Sequence, residues 1–170
     1  MPSLPEDNEL GKFTEDLSRE DEMGAVIRAH IRIENILLAV VEKLTPHPQH
    51  LKKLGLDYDG YVTLALALGL KERFGPPLRA LGKLRNDFAH KVDFKLTQPA
   101  VTNLYAAMAT EDKAQVQSMF AQIKDLNEET RRKRFTELEP MDQFKLIAIT
   151  LWAVAKAAQI KLTESGANGT

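Results

Sequence analysis

The apolar residues of this chain recur at helical spacing through most of its length. Between residues 21 and 44 they form a wide stripe over about six turns, which predicts a first long helix. Pro46 and Pro48 follow, and they are predicted to end this helix because proline lacks an amide hydrogen and disfavours helix at the residue before it. The stripe consists of Val26, Ile27, Ile31, Ile33, Leu37, Leu38, Val40, Val41 and Leu44.

Leucine and alanine dominate residues 58–73, which predicts a second helix that ends before the glycine and prolines of residues 75–77. A third helix is predicted to begin near Pro77, a residue favoured in a first turn. Thr97 is a suitable cap for a further helix, and a last, strongly apolar helix is predicted from about Pro140. No segment shows sustained alternation, so we predict an all-α antiparallel helical bundle.

The two ends of the chain differ from this body. Residues 1–20 are acidic and sparse in apolar groups, and residues 163–170 are small and polar. We therefore predict flexible tails at 1–20 and 163–170 around a single domain at 21–162, because neither end offers enough apolar surface to offset its ordering entropy. The acidic start lacks the features of a secretory signal, which favours the cytoplasm. The longest apolar run, residues 146–155, has roughly half the length of a membrane span and predicts a buried helix.

Composition excludes several classes of site. The chain has no cysteine, so it has neither disulfides nor thiolate chemistry, and no metal or cofactor is predicted. Its 23 Lys and Arg residues nearly balance 24 Asp and Glu residues, so any contact with nucleic acid must be local. Phosphate-binding glycine loops and zinc-protease helices are absent from the sequence. Without a basic recognition helix, direct operator binding is the poorest of the candidate functions.

The segment at residues 85–90 carries the strongest chemical signal. It reads Arg85-Asn86-Asp87-Phe88-Ala89-His90. Arginine holds a permanent charge suited to phosphate, and the unperturbed pKa of histidine lies near neutrality, so the pair suits phosphodiester chemistry. On an ideal helix the five-residue spacing separates the two side chains by about 140°. Convergence of Arg85 and His90 therefore requires the helix to end after Phe88.

Chemistry alone favours a purely structural interpretation of this segment. Arg85 then pairs with a carboxylate such as Asp87 or Glu34, and His90 caps the open carbonyls of a helix end.

Other polar residues carry weaker signals. His47 and His50 in the proline-rich loop hold a metal only if a carboxylate joins them, and a solvent-facing pair is favoured. His30 lies among apolar positions, as a packed histidine does, and no role is assigned to it. A basic run makes a weak candidate RNA contact because glutamates flank it, and a solvated segment with internal ion pairs is the alternative. This run is Arg131, Arg132, Lys133 and Arg134.

Two stretches of residues 61–94 carry a family resemblance. They are Leu66-Ala67-Leu68-Gly69-Leu70 and the segment from Leu78 to His90, Leu-Arg-Ala-Leu-Gly-Lys-Leu-Arg-Asn-Asp-Phe-Ala-His. They resemble the mannitol operon repressor-like proteins and, more broadly, the HEPN superfamily of nucleotide-binding proteins. The resemblance extends less specifically to residues 25–44 and covers about half of the chain.

The resemblance implies a HEPN-like homodimer in which Arg85 and His90 line a cleft at the two-fold axis. In active members of the superfamily this pair cleaves RNA without metal, in stress, toxin or defence regulation. His90 is then the general acid or base, Arg85 holds the phosphate, Asn86 orients the groups, and Asp87 and Glu34 support the site. The product is a cyclic phosphate, and the expected partners are RNA, an antitoxin or a regulatory protein, with no membrane.

The chain departs from one pattern of the superfamily. Some superfamily toxins carry a tyrosine two residues after the histidine, where this chain has Val92, so regulation through such a tyrosine is not available.

Two alternatives stand beside the expected ribonuclease. The mannitol operon repressor-like proteins are themselves regulators, which implies a non-catalytic transcriptional regulator or protein-interaction module as the second candidate. A structural dimer whose motif merely caps a helix is the third.

Overall fold

The structure is a computed structural model, and it describes residues 7–126 and 132–167. These residues form seven α-helices and three short 3-10 helices, with no strand among them. The α-helices are α1 (Asp7–Ser18), α2 (Glu22–Leu44), α3 (Tyr58–Ala67), α4 (Gly75–His90), α5 (Gln98–Ala107), α6 (Thr110–Leu126) and α7 (Pro140–Ala167). The 3-10 helices are Pro48–Leu54, Glu72–Phe74 and Phe135–Glu137. The predicted all-α bundle is confirmed.

Helix α2 is the central element of this bundle and agrees closely with the predicted first helix. Asp21 caps it, because its side chain accepts a hydrogen bond of 2.7 Å from the amide of Gly24. Its inner face, which includes Val26, Ile33 and Val40, is fully buried. The helix packs against α1, α3, α4 and α7, so it connects both sides of the core.

Helix α7 forms the second half of the core and packs on α2, α5 and α6. Phe144, Ile147 and Leu151 are fully buried within it. The buried amide of Gln143 exchanges hydrogen bonds with Gln98 at 2.9 and 3.0 Å, which joins α7 to α5 without leaving the amide unpaired.

Residues 140–165 of α7 are also long and apolar enough to cross a membrane, with a mean hydropathy of 1.4. Half of this apolar stretch is buried inside the bundle, as in the core helix of a soluble protein. Length and composition therefore give only weak support for a membrane span.

The predicted N-terminal tail is wrong from residue 7 onward. Residues from Asp7 form α1, in which Phe13 and Leu17 are fully buried. These two side chains lie four positions apart, on one face of the helix, and Phe13 packs on Trp152 with ring centroids 5.5 Å apart. An acidic helix with only two large buried apolar groups thus docks onto α7 and α2. Residues 1–6 of the predicted tail lie outside the described residues.

The predicted second helix ends too late and the predicted last helix too early. Helix α3 stops at Ala67 because Gly69 adopts a left-handed φ of 110°, which lets Gly69 and Leu70 donate back to Leu66 and Ala65. Helix α7 continues beyond residue 162, and Thr163 bonds back to the carbonyl of Gln159 at 3.0 Å. The predicted C-terminal tail is therefore helical through residue 167, and residues 168–170 lie outside the described part.

Candidate functional site

A cleft of about 650 Å³ opens between α2, the start of α3 and α4. Its volume lies within the range of roughly 300–1,000 Å³ that ligand sites occupy. Four of the residues predicted for the site line this cleft, together with several polar residues that were not predicted. Its polar lining includes His30 and Glu34 from α2, Tyr58 from α3, and Arg85, Asn86 and Asp87 from α4.

Arg85 is exposed in this cleft and lacks a carboxylate partner. Its Nη1 donates a hydrogen bond of 3.1 Å to Oδ1 of Asn86, and no carboxylate of the described residues lies within 4 Å of its guanidinium. The neighbouring cations differ in this respect. Arg79 pairs with Asp59 at 2.7 Å, and Lys83 pairs with Asp87 at 2.9 Å.

Asp87 is paired with lysines instead of Arg85. Lys91 and Lys83 lie 2.7 and 2.9 Å from its carboxylate oxygens, one turn after and one turn before it. Their hydrogen bonds, that of Lys91 first, lower the pKa of Asp87 below its usual value. The structural interpretation in which Asp87 or Glu34 neutralises Arg85 is therefore not what the described residues show, and the charge of Arg85 remains available to a ligand.

His90 lies outside the residues that line this cleft. The helix end after Phe88 that convergence within one chain requires is not present, because α4 runs through His90 and the Lys91 amide still bonds to the Asp87 carbonyl at 3.0 Å. Arg85 and His90 therefore keep the angular separation of about 140° that a continuous helix gives them. Phe88 is buried, which holds the last turn of α4 in the bundle.

The loop after His90 returns to the N-terminal end of α2. The Leu96 amide donates a hydrogen bond of 2.8 Å to the Glu22 carboxylate, and Phe94 packs edge-on against Phe88 with centroids 4.8 Å apart. These contacts bind the loop after the exposed His90 to the start of α2, whereas Arg85 shares the cleft with residues 27–34 of that helix.

His30 is a buried imidazole in the cleft that the sequence did not identify as a site residue. It is 6% exposed, its ring stacks against Tyr58 with centroids 4.2 Å apart, and its Nδ1 lies 4.0 Å from a carboxylate oxygen of Glu34. Burial, and next the charge of Arg85, lower the pKa of His30 from 6.5 to about 4. His30 is therefore neutral near pH 7. The spacing of His30 and Glu34, four residues apart on a helix, is the sequence signal that could have linked them.

Tyr58 fixes the floor of this site. Its hydroxyl donates a hydrogen bond of 3.1 Å to the Leu78 carbonyl, and its ring lies against Gly82. A side chain at position 82 would place its Cβ 2.8 Å from that ring, so the close approach of α3 to α4 requires glycine there. Burial, followed by the charges of Glu34 and Asp59, raises the pKa of Tyr58, which keeps the phenol protonated.

The other predicted polar groups do not reach the cleft. Arg131 lies outside the described residues, while Arg132 and Lys133 are exposed between α6 and α7. Arg134 pairs with Glu137 at 2.8 Å, which is the local ion pair that the alternative interpretation expected. The rings of His47 and His50 lie 6.4 Å apart. Within the described ranges, no group of three or more His, Asp or Glu side chains is arranged to hold a metal ion.

The outer face of α2 carries an exposed apolar row beside the cleft. Met23 and Ile31 are 45% and 49% exposed, and Ile27 lies between them at the same four-residue spacing. We call these three residues the α2 stripe. Ile27 and Ile31 also line the cleft that holds Arg85, so the apolar stripe and the polar site share an edge.

No family model, curated protein or solved structure matches this chain. The functional interpretation of the cleft therefore depends on its own geometry and on the resemblance of the motif.

Proposed function

We propose that this chain is a metal-independent, HEPN-like endoribonuclease that acts as a homodimer in the cytoplasm. The observation that carries this proposal is the guanidinium of Arg85, exposed in a cleft of ligand size with no carboxylate of the described residues paired to it. An arginine in this state offers a planar fork of donors to a phosphodiester at little cost, because no existing ion pair must first be broken. Asn86 holds that fork from one side.

The second catalytic group of the proposed site comes from the other subunit. The α2 stripe is a row with four-residue spacing, and such rows interdigitate when two helices cross. A two-fold axis through the stripe makes the contact self-complementary, and an axis perpendicular to α2 makes the paired helices antiparallel. The start of one α2, to which the loop after His90 is bound through Leu96, then approaches the part of the other α2 that lines the Arg85 cleft. His90 of one subunit thereby completes the Arg85 cleft of its partner.

The chemistry of the proposed site is a transesterification. The ribose 2′-oxygen attacks phosphorus and loses its proton to a neutral imidazole, while the bond from phosphorus to the 5′-oxygen breaks and that oxygen takes up a proton. The products are a 2′,3′-cyclic phosphate and a 5′-hydroxyl end. Arg85 stabilises the charge that builds on the non-bridging phosphate oxygens, and His90 transfers the proton. The guanidinium and the imidazole supply the charge and the proton transfer that this reaction needs.

A mixing experiment tests both the activity and the shared site. Purified protein is incubated with RNA in chelator, alongside Arg85→Gln, His90→Ala and an equimolar mixture of the two variants after subunit exchange. Each variant alone should be inactive. In the mixture about half of the dimers are hybrids with one intact site, so about a quarter of the wild-type rate should return. If the two groups act within one chain, the mixture stays inactive.

Matched variants control for general loss of structure or charge. Arg79→Gln removes a cleft arginine that is already paired with Asp59, and His50→Ala removes an exposed loop histidine. Both should retain most of the activity. Ile31→Glu places a charge on the α2 stripe and should lower both dimer content and RNA cleavage together. Wild-type protein that leaves RNA intact under all these conditions contradicts the enzymatic proposal.

One observation favours the second candidate, a non-catalytic regulator or interaction module of the mannitol operon repressor-like kind. Within one chain His90 lies outside the cleft, while Met23 and Ile31 expose an apolar surface that suits an amphipathic helix of another protein. Under this candidate the purified chain does not cleave RNA, and Ile31→Glu abolishes binding of a partner while Arg85→Gln does not.

A further inference from the structure

The cleft contains a second imidazole that the proposed reaction does not use. His30 is buried against Tyr58, with its Nδ1 4.0 Å from Glu34, and it lines the same cavity as Arg85. A largely buried position that packs against a tyrosine ring suits leucine as well as histidine, so the imidazole at this position calls for a chemical reason. It shares the cleft with the carboxylate of Glu34 and the guanidinium of Arg85, which are groups that respond to a charged ligand.

The charged groups around His30 leave two charges uncompensated. Within the cleft, Asp59 is paired with Arg79, Asp87 is paired with lysines, and Asp57 caps the start of α3. The guanidinium of Arg85 and the carboxylate of Glu34 remain without an ion-pair partner among the described residues, apart from the distant contact of Glu34 with His30. The charged and titratable groups that face His30 across the cleft are Glu34 from α2, Asp57, Tyr58 and Asp59 from α3, and Arg79, Lys83, Arg85 and Asp87 from α4.

We propose that His30 is part of the anion site and takes up a proton when a phosphodiester binds to Arg85. This inference rests on the phosphate-binding role of Arg85 in the proposed function and names a further residue of that site. Without a ligand, burial and the positive charge of Arg85 both oppose protonation of His30. A bound phosphodiester brings one negative charge that offsets the positive charge of Arg85, and this change favours the imidazolium.

The proton comes from solvent and no covalent bond changes. The imidazolium then lies 4.0 Å from the Glu34 carboxylate, which compensates its charge. Binding and proton uptake are linked, so the anion should bind more tightly as the pH falls. The effect approaches about tenfold in affinity per pH unit if one proton is taken up.

A dinucleotide that cannot be cleaved tests this coupling. Thymidylyl-(3′→5′)-thymidine carries one phosphodiester and lacks the 2′-hydroxyl, and neither its phosphate nor its bases titrate in the mildly acidic range. The chain has four histidines, so their ring signals can be followed by NMR, with His30→Leu identifying that of His30. Saturating dinucleotide should move the titration midpoint of His30 upward by about one pH unit or more. The affinity of wild-type protein should rise on acidification more steeply than that of His30→Leu.

A second measurement needs no ligand. Arg85→Gln removes the positive charge beside His30 and should itself raise the midpoint of His30, whereas Arg79→Gln, which removes a paired charge, should change it less. An unchanged His30 midpoint in both the dinucleotide complex and Arg85→Gln overturns the inference. Binding without any His30 response overturns it while leaving the phosphate site intact, and no binding at any pH overturns both. Intact coupling without RNA cleavage contradicts the enzymatic function alone.

Discussion

Acid should destabilise this fold through His30 before it acts on the paired carboxylates. Because burial and Arg85 lower the pKa of His30 from 6.5 to about 4, the unfolded chain binds a proton there more readily than the folded chain. Stability therefore rises with pH across this interval and is lost as the pH falls from about 6.5 to about 4. Replacing His30 with leucine, which does not titrate, should remove this part of the pH dependence.

The size of the effect follows from the two pKa values. Each pH unit within this interval changes the free energy of unfolding by about 1.36 kcal/mol. The free energy of unfolding should therefore fall by about 2 kcal/mol between pH 7 and pH 5, and by about 3 kcal/mol by pH 4. The hydrogen bonds from Lys91 and Lys83 lower the pKa of Asp87, so the stability it contributes is lost as the pH falls through the usual pKa range of aspartate and below it. Buried Asp112 has a raised pKa and acts in the opposite direction. Comparison with His30→Leu removes these shared contributions.

Urea unfolding followed by circular dichroism measures this difference directly. Wild-type protein and His30→Leu should be unfolded at neutral pH and at about pH 5, at one fixed protein concentration because any self-association also affects stability. The wild type should lose about 2 kcal/mol more than the variant over this interval. If both proteins lose the same amount, His30 is not held neutral by its surroundings, and the reasoning about the cleft fails with it.

Two further predictions test the elements that build the cleft. Gly82→Ala should destabilise the fold by about 1–3 kcal/mol in thermal unfolding, because the new Cβ lies 2.8 Å from the anchored Tyr58 ring. Gly11→Ala is the matched control: a Cβ at position 11 has nothing within 4 Å, so this variant should stabilise α1 by about 0.5–1 kcal/mol. Equal effects at the two glycines would contradict the close approach of α3 to α4. Asp21→Ala removes the cap of α2 and should lower the free energy of unfolding by about 1 kcal/mol. Asp21→Asn keeps a side-chain acceptor and should retain most of that stability. An Asp21→Ala variant as stable as the wild type would show that the cap contributes nothing.

The sequence predicted α2 well because its stripe is long and both of its ends carry chemical signals. Asp21 caps the start and Pro46 follows the end, so the helix boundaries depended on local chemistry. The predictions failed where tertiary contacts determine whether a helix forms or where it ends. Helix α1 is polar overall and is ordered by the docking of Phe13, which no local pattern reveals. The end of α3 depended on Gly69, whose left-handed conformation is one of several that glycine adopts readily.

The sequence identified several residues of the candidate site, but it did not show which polar side chains lie together in the cleft. The motif identified Arg85 and Asn86, and Glu34 was proposed on the adjacent helix; all three line one cleft. His30 was missed because an imidazole among apolar positions is usually a packing residue, and only the crossing of α2 and α4 places it near Arg85. His90 was placed beside Arg85 on the assumption that α4 ends early, and the continuous helix removes that assumption.

The continuity of α4 changes what the motif requires. Five residues along an intact helix separate Arg85 and His90 by about 7.5 Å along the axis and about 140° around it, so one chain does not direct both side chains into one cleft. Under the proposed function, dimerisation is therefore part of the active site and not merely an aid to stability. Ile27 and Ile31 of the α2 stripe line an edge of the cleft, and under the proposed function a second subunit binds on the stripe so that its His90 reaches Arg85. Restoration of activity by two individually inactive variants follows from this geometry, whereas a site within one chain predicts none.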